Sequence, residues 1–370
     1  MSEARKEDLW KTRIDREEQP EREPGPINLQ RYQRQRAFMG AHTFLKLPVC
    51  LTPEDLAAGN VDVAVLGAPV DFSSGIRGAS RGPLAIRTAQ NYIRAPADYI
   101  NHLSVRVRPL EVLTVVDYGD AAVDHYNPDN SMEPIRELVG EVVELGIIPV
   151  VLGGDHSILW PDAGALIDVY GAENLGLIHL DAHADCGREK PGMTINHSLA
   201  IPRLIKDEGL PGKNIYQIGL RGFYPDEEMI QWMRQNGINS HFMAEIDRIG
   251  LQTVLDNVIC KAQAGPEYFY VSFDIDVLDP AFAPGTGTPE PGGLLIREAF
   301  SAVRRICHEL NVVGFEIVEV APTNDSNYVT ALNAHRIVIE AITGIAMRRT
   351  GIEDPNYLDP VTSGETPFPL

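Results

Sequence analysis

The sequence has few cysteines, no excess of basic residues and no long apolar run. Its four cysteines form no CxxC pair, which argues against thiolate zinc sites and favours reduced thiols in a cytoplasm. No apolar run approaches the roughly 18–20 residues that span a bilayer, so no membrane partner is predicted. Because a phosphate backbone requires a basic surface, the formal net charge of −20 argues against nucleic acid as a partner. What remains is a globular protein, since 44% of its 370 residues are hydrophobic.

The two ends of the chain differ in composition from its middle. Residues 1–36 are charged and proline-bearing, without an apolar segment, so we predict an N-terminal extension that is not a signal peptide. It is expected to be partly disordered or to dock on a neighbouring subunit. Residues 351–370 are predicted to form a C-terminal tail. Since the residues between show no repeat and no low-complexity linker, a single domain is predicted over 37–350.

The middle of the chain alternates short apolar runs with longer amphipathic stretches. Buried strands are predicted at 61–66, 111–116, 147–152, 175–180, 214–218, 267–273 and 311–317. Helices are predicted at 132–145, 199–206, 226–236, 295–310 and 329–347. Strands that are apolar on both faces and alternate with helices predict an α/β fold with a mostly parallel sheet covered on both sides. In such sheets the ligands bind at the carboxyl ends of the strands.

A DxHxD run follows the predicted strand 175–180 directly. In an extended backbone Asp181, His183 and Asp185 point to the same side, so two carboxylates and an imidazole converge on one place. Asp274 and Asp276 repeat the pattern after strand 267–273, and His156 follows strand 147–152. Each motif alone is as compatible with a turn or a hydrogen-bonded histidine. Three of them at strand ends predict a shared metal site.

The donor types indicate which ions this site takes. Carboxylate oxygens with imidazole suit manganese, nickel, cobalt or iron(II) rather than structural zinc. The number of ligands predicts two ions, which together lower the pKa of a water and make hydroxide available at neutral pH. The six predicted ligands are His156, Asp181, His183, Asp185, Asp274 and Asp276.

Two loops beside these motifs leave alternatives open. Gly153 and Gly154 permit a positive φ and a close backbone approach, yet an ordinary strand-to-helix turn would also use them. The loop Pro284-Gly285-Thr286-Gly287-Thr288-Pro289 either shapes the substrate site or forms a rigid turn.

Buried acids in the last predicted strand need a partner. Glu316 and Glu319 lie in the apolar run 314–320, so each carboxylate requires a cation or hydrogen-bond donors. The partner is either a planar cationic substrate, held bidentately, or an arginine such as Arg77, Arg81 or Arg87.

A further histidine lies about a dozen residues beyond the DxHxD run. His197 is a candidate proton shuttle, because its pKa is near the working range. A surface or capping histidine is the alternative.

With these motifs together, the chain resembles the ureohydrolase family, the arginase and agmatinase group of binuclear metalloenzymes. The resemblance covers roughly residues 60–348 and rests on GGDHS at 153–157, DAHAD at 181–185, SFDIDVLDPAFAPGTGTP at 272–289 and VEVAP at 318–322. It implies a three-layer α/β sandwich with a central, mostly parallel sheet of about eight strands. It also implies two divalent ions, Mn²⁺ or Ni²⁺, a homo-oligomer (trimer or hexamer) and release of urea from a small cationic guanidino compound.

The resemblance also implies roles for single residues. His156, Asp181, Asp185 and Asp274 would surround one ion, and His183 and Asp276 would complete the set around the other, with Asp181 and Asp274 as bridges. Asp185 would orient the nucleophile. The substrate would lie on Glu316 and Glu319, with Glu319 gripping the guanidinium. His197 would bring the proton to the leaving amine.

Departures from the family pattern bear on the substrate. Glu316 stands where the family has an acid of aspartate length, and Ser198 stands where it has glycine. The residues Cys186 to Lys190 do not match those that hold the amino-acid end of arginine, so arginine is not expected. An N-terminal extension that caps a neighbouring subunit's pocket, with His42 in the cap, would favour free guanidine over agmatine and guanidinobutyrate. A solvated tail without a role in selectivity is the alternative. A formimidoyl-group hydrolase, or a binding protein that kept the fold, is the alternative outside urea release.

Overall fold

Eight parallel strands form one sheet. The computed structural model describes residues 22–32, 35–72, 75–89, 102–124, 126–188, 192 and 194–352. In spatial order the sheet is β2-β1-β3-β8-β7-β4-β5-β6, and every neighbouring pair is parallel. The strands are β1 Val63–Ala68, β2 Val115–Asp120, β3 Ile148–Gly153, β4 Leu175–Leu180, β5 Ile215–Leu220, β6 Asn239–Phe242, β7 Tyr268–Asp274 and β8 Val312–Val318.

Helices cover both faces of this sheet. They are α1 Pro53–Ala58, α2 Gly82–Thr88, α3 Pro109–Val112, α4 Asp129–Val143, α5 Leu159–Tyr170, α6 Ala200–Lys206, α7 Glu227–Gln235, α8 Met243–Ile249, α9 Leu251–Gln263, α10 Ile296–Glu309 and α11 Val329–Arg349. The buried apolar side chains form two clusters. The predicted α/β three-layer fold is therefore confirmed. Among the described residues, no helix is both long and apolar enough for a bilayer crossing.

The strand predictions were correct in position for the central strands and less so at the edges. β2 begins at Val115, because residues 109–112 form the short helix α3 behind a proline. β6 was missed since it is a four-residue edge strand with no fully buried residue. α5 was missed because it is buried on most sides and lacks the polar face that marks an amphipathic helix.

The described part of the N-terminal extension packs on its own chain. Ile27 pairs with Val49 in an antiparallel bridge, and Val49 pairs with Asp117 of β2. Arg22 forms an ion pair with Asp55 at the start of α1. This segment therefore lines the β2 edge, two strands away from β3. Residues 1–21 and 353–370 lie outside the described residues, so docking on a neighbouring subunit and the division into tails and domain stay predictions.

Candidate metal centre

The candidate site lies at the carboxyl ends of the four central strands. β3 leads into a turn that holds His156, and β4 leads directly into Asp181. β7 ends on Asp274, with Asp276 in the turn behind it. β8, between β3 and β7, leads into Glu319. Because these strands are parallel neighbours, their ends bring residues from distant parts of the chain to one edge of the sheet.

The first group surrounds Nδ1 of His156. This nitrogen lies 3.0 Å from Oδ2 of Asp185 and 3.2 Å from Oδ2 of both Asp181 and Asp274. These approaches are not aligned as hydrogen bonds. Nδ1 of His156 and Oδ2 of Asp181 and Asp185 are therefore buried without a hydrogen-bond partner among the described residues.

The second group shares Asp181 with the first. Nδ1 of His183 lies 3.0 Å from Oδ2 of Asp276 and 3.6 Å from Oδ1 of Asp181. Backbone donors hold the carboxylates in place: the N–H of Ala182 donates to Oδ1 of Asp276, and the N–H of Asp276 donates to Oδ1 of Asp274. Donor atoms close enough together to hold an ion are present in both groups, and Asp181 belongs to both: in the first they are on His156, His179, Asp181 and Asp185, in the second on Asp181, His183 and Asp276.

His179 belongs to the first group and was not predicted. Its Nε2 lies 3.2 Å from Oδ2 of Asp181, has no hydrogen-bond partner among the described residues, and its ring stacks on that of His156 at 5.0 Å. The signal was present in the sequence, since His179 is two residues before Asp181 and therefore on the same side of the strand. It was overlooked because it lies inside an apolar run.

Glu319 and His197 form a pair beside the first group. Oε1 of Glu319 accepts the backbone N–H of His156 at 2.9 Å and lies 3.4 Å from Nδ1 of His197. Glu319 is fully buried, whereas the side chains of His197 and His183 are 21% and 23% exposed. The candidate site therefore opens to solvent past these two histidines.

Glu316 lies on the far side of His156. Oε1 of Glu316 is 3.7 Å from Nε2 of His156, the nitrogen opposite the carboxylate group, and its Oε2 accepts the Tyr270 hydroxyl at 3.1 Å. It is fully buried. The expectation that Glu316 holds the substrate is therefore not supported by its position, because the His156 ring lies between its carboxylate and the other carboxylates.

The arginine alternative for these acids is wrong for two of the three named arginines. Arg87 pairs with Asp117 and Asp120, and Arg77 pairs with Asp71.

His42 is exposed and lies on the segment that lines β2. Its Nε2 is 3.2 Å from the carbonyl oxygen of Phe38.

Close contacts show why Gly154 is a glycine and where the second loop lies. A Cβ on Gly154 would lie 2.3 Å from the carbonyl oxygen of Val70, so close backbone approach requires glycine there, and its φ is not positive. In the second loop, Oγ1 of Thr288 donates to Oδ2 of Asp276 at 3.3 Å, and Gly287 accepts the N–H of Ile76. This loop therefore adjoins the candidate site.

Backbone strain occurs at two residues of the site. Asp185 has φ 46° and Glu319 has φ 62°, both in the left-handed region that non-glycine residues seldom occupy. Such conformations cost about 1–3 kcal/mol each and concentrate at functional sites. The strain marks these two acids as positioned by the surrounding structure.

Comparison with known sequences identifies the family. The Arginase family pattern matches residues 61–344, which is most of the chain. The chain belongs to the arginase family.

Individual relatives refine this assignment. The chain is 34% identical over 306 residues to a guanidinobutyrase of Pseudomonas aeruginosa, covering 82% of this chain and 92% of the relative. It is 36% identical over 307 residues to the mitochondrial agmatinase of Gallus gallus, covering 82% and 85%. A solved structure of a hypothetical agmatinase from Burkholderia thailandensis has a TM-score of 0.75 at 30% identity and covers 90% and 99%. The protein is thus an arginase-family hydrolase of the agmatinase-like branch, which cleaves C–N bonds of guanidino compounds.

The charges of this arginase-family site do not balance among the protein groups alone. Burial raises the pKa of Asp274 well above its ordinary value, and the charges of Asp276 and Asp181 raise it further. Burial and the charge of Asp181 raise the pKa of Asp276 to about 6. Burial disfavours the His183 cation, but contact with Asp181 and Asp276 outweighs this and raises its pKa to about 12. Carboxylates that repel one another in a buried site require a cation.

The donors present fit divalent ions. Three buried donor atoms of the first group, on His156, Asp181 and Asp185, face one another without hydrogen bonds. Oxygen and imidazole donors of this kind suit first-row divalent metals. The cluster of the arginase-family chain is therefore able to bind metal.

Proposed function

We propose that the protein is a two-metal ureohydrolase that releases urea from a small guanidino compound without an amino-acid end. One observation carries this proposal: two ligand groups share Asp181, and a buried Glu319–His197 pair lies beside them at the opening. A single-ion site would not use the second group.

The proposed ligands of each ion are drawn from the two groups, with His179 as a neighbour of Asp181 and not a ligand. His156, Asp181, Asp185 and Asp274 would hold the first ion, and His183, Asp181 and Asp276 the second. Mn²⁺ and Ni²⁺ both suit this set. When bound, such ions act as Lewis acids and lower the pKa of a nearby water to about 7.

The protein groups then handle the substrate. Glu319 balances the charge of the guanidinium, which stays protonated at any working pH. Asp185, held with φ 46° beside His156, orients the attacking water. That water supplies the oxygen of urea, and one C–N bond breaks.

The departing nitrogen needs a proton, because an amide anion is a very poor leaving group. Burial disfavours the His197 cation, but contact with Glu319 and the charges of Asp185 and Asp155 outweigh burial and raise its pKa to about 9. His197 therefore carries a proton at neutral pH, and its partly exposed ring lies at the opening where the leaving group departs.

Free guanidine is our first candidate substrate. The carboxylate of a guanidino acid needs a cation, and Arg188, which follows the metal loop, already pairs with Asp226 and Glu228. Half-buried Tyr224, its ring 6.4 Å from that of His183, narrows the space beside the opening. Agmatine and guanidinobutyrate are the second candidates, favoured by the names of the relatives above.

The test is urea release from metal-stripped protein reloaded with Mn²⁺ or Ni²⁺. Guanidine, agmatine, guanidinobutyrate, guanidinopropionate and arginine are compared side by side. Turnover of guanidine alone supports the first candidate, and turnover of the longer compounds supports the second. Ammonia or formamide from a formimidoyl compound, with no urea from the panel, overturns the proposal.

Single variants test the roles of the protein groups. His197→Ala should lower kcat by about 10²–10⁴-fold, the usual contribution of a general acid. Glu319→Gln should lower kcat/KM by about 10–100-fold through loss of a charge-assisted hydrogen bond. The matched control is His241→Ala, because His241 of β6 forms a similar histidine–glutamate pair, with Glu245 of α8 at 3.0 Å. Wild-type turnover in His197→Ala or Glu319→Gln would contradict the assigned roles.

A further inference from the structure

A buried polar column extends behind the candidate metal centre from His156, and its other four members have no role in the proposed reaction. It runs from His156 through Ser272 and Glu316 to Tyr270 and ends at Asp162 on α5. All five side chains are fully buried. Buried polar groups are costly unless each finds a hydrogen-bond partner, so the contacts within this column matter.

The sheet register builds the first part of the column. Ser272 of β7 lies directly opposite Glu316 of β8, and Oγ of Ser272 is 2.8 Å from Nε2 of His156. Tyr270, two residues before Ser272, points to the same side of β7. Its ring needs the space left by Gly314, where a Cβ would lie 2.7 Å from the ring.

The helix layer supplies the last member. Asp162 lies in the first turn of α5, which follows the turn that holds His156. The Tyr270 hydroxyl lies 3.1 Å from Oε2 of Glu316 and 3.4 Å from Oδ2 of Asp162. One hydroxyl proton thus faces two carboxyl groups, and Oδ1 of Asp162 has no hydrogen-bond partner among the described residues.

We propose that Asp162 and Tyr270 are positioning residues for the first metal ion, because they hold Glu316 behind Ser272, whose Oγ lies 2.8 Å from Nε2 of His156. A Ser272 hydroxyl that accepts from Nε2, with the Glu316 carboxyl group 3.7 Å from the same nitrogen, keeps the proton there, so Nδ1 faces the carboxylates as an unprotonated donor. The same partner raises the basicity of the ring toward a metal. Burial and the charge of Glu316 raise the pKa of Asp162 well above its ordinary value, which is consistent with a neutral acid that donates to the column.

This inference rests on the proposed two-metal function, and its test measures metal binding directly. Mn²⁺ alone is titrated into stripped protein against a chelating dye, and the EPR spectrum shows whether one or two ions bind. Asp162→Leu should weaken one of the two ions by about 10–100-fold, the usual effect of losing an outer partner of a ligand. Asp162→Asn keeps a polar group and should restore affinity to within about threefold of wild type. At saturating Mn²⁺, the kcat of Asp162→Leu and of Asp162→Asn should return to the wild-type value.

Two further variants separate positioning from packing. Tyr270→Phe keeps the ring and removes the hydroxyl, so it should fold and weaken the same ion. Val139→Ala, in the core of α4, should lower the unfolding midpoint with unchanged Mn²⁺ affinity. Wild-type Mn²⁺ affinity for both ions in Asp162→Leu or in Tyr270→Phe would overturn the inference. Two tightly bound ions in wild type without urea release would overturn the proposed function alone.

Discussion

Two buried clusters of charged side chains in this protein differ in whether the carboxylates have an arginine partner. Near β2, Arg87 donates to Asp117 at 2.8 Å and to Asp120 at 2.5 Å, so the carboxylates have their own cation. At the ends of β3, β4 and β7, carboxylates face imidazoles across unaligned contacts, and buried donor atoms have no hydrogen-bond partner in the part of the chain that the structure describes. The first cluster is complete in itself. The second has buried donor atoms that a bound cation would satisfy.

The largest effect is expected from breaking the second cluster at its shared acid. Asp181→Asn removes the residue common to both groups, so metal-supported water activation should be lost and kcat/KM should fall by about 10³-fold or more. Urea release and Mn²⁺ titration measure this. Stability without metal should be retained, because one of several repelling carboxylates is gone. Two ions bound at wild-type affinity would contradict the assignment.

The first cluster should respond in the opposite way. Arg87→Met leaves Asp117 buried without its cation, so the free energy of unfolding should fall by about 3–5 kcal/mol. Denaturant unfolding measures the loss, and Mn²⁺ affinity should stay at the wild-type value. A loss below about 1 kcal/mol in the free energy of unfolding would mean that Arg87 is not an important structural partner of Asp117.

Metal removal should affect only the second cluster. Mn²⁺ at about 100 times its dissociation constant should stabilise the protein over chelator-treated protein by about 2.7 kcal/mol for each ion bound. The shift in unfolding free energy should be equal in wild type and Arg87→Met and absent in Asp181→Asn. An equal shift in all three proteins would place the ion elsewhere.

The smallest effect concerns a buried histidine outside both clusters. Burial lowers the pKa of His335 to about 4, and its Nδ1 lies 2.9 Å from the carbonyl oxygen of Ile86. In the unfolded state the pKa of His335 is near 6.5, so between pH 6.5 and pH 4 the unfolded state binds more protons than the folded state. The contribution of His335 to the free energy of unfolding is therefore fully present above pH 6.5 and is lost as the pH falls toward 4.

Between pH 7.5 and pH 5.5 this histidine should remove about 1 kcal/mol of stability. His335→Gln should lack that part of the pH dependence, measured by denaturant unfolding at both pH values. The carboxylates titrate in both proteins, so their contribution cancels when the pH-dependent change in unfolding free energy of the variant is subtracted from that of wild type. Parallel pH profiles would show that His335 does not contribute.

The clustering of the site motifs could be predicted from the sequence better than the surrounding elements, because the motifs are local. Asp181, His183 and Asp185 are placed on one side by the two-residue period of an extended chain, whatever the strand packs on. The same two-residue period also places His179 on the side of Asp181, although His179 lies inside an apolar run. Edge elements such as β6 and α3 were missed or misplaced, since short half-exposed segments carry weak periodicity.

By itself, the sequence determined the alternation of strands and helices, the acidic motifs at the strand ends and the resemblance to the arginase family. Only the tertiary structure decided that β8 lies between β3 and β7, which brings Glu319 beside His197 and sets Glu316 behind His156. Strand order and the contacts of Asp162 with Tyr270 depend on pairings between distant residues. Local periodicity carries no information about such pairings, because many strand orders satisfy the same apolar pattern.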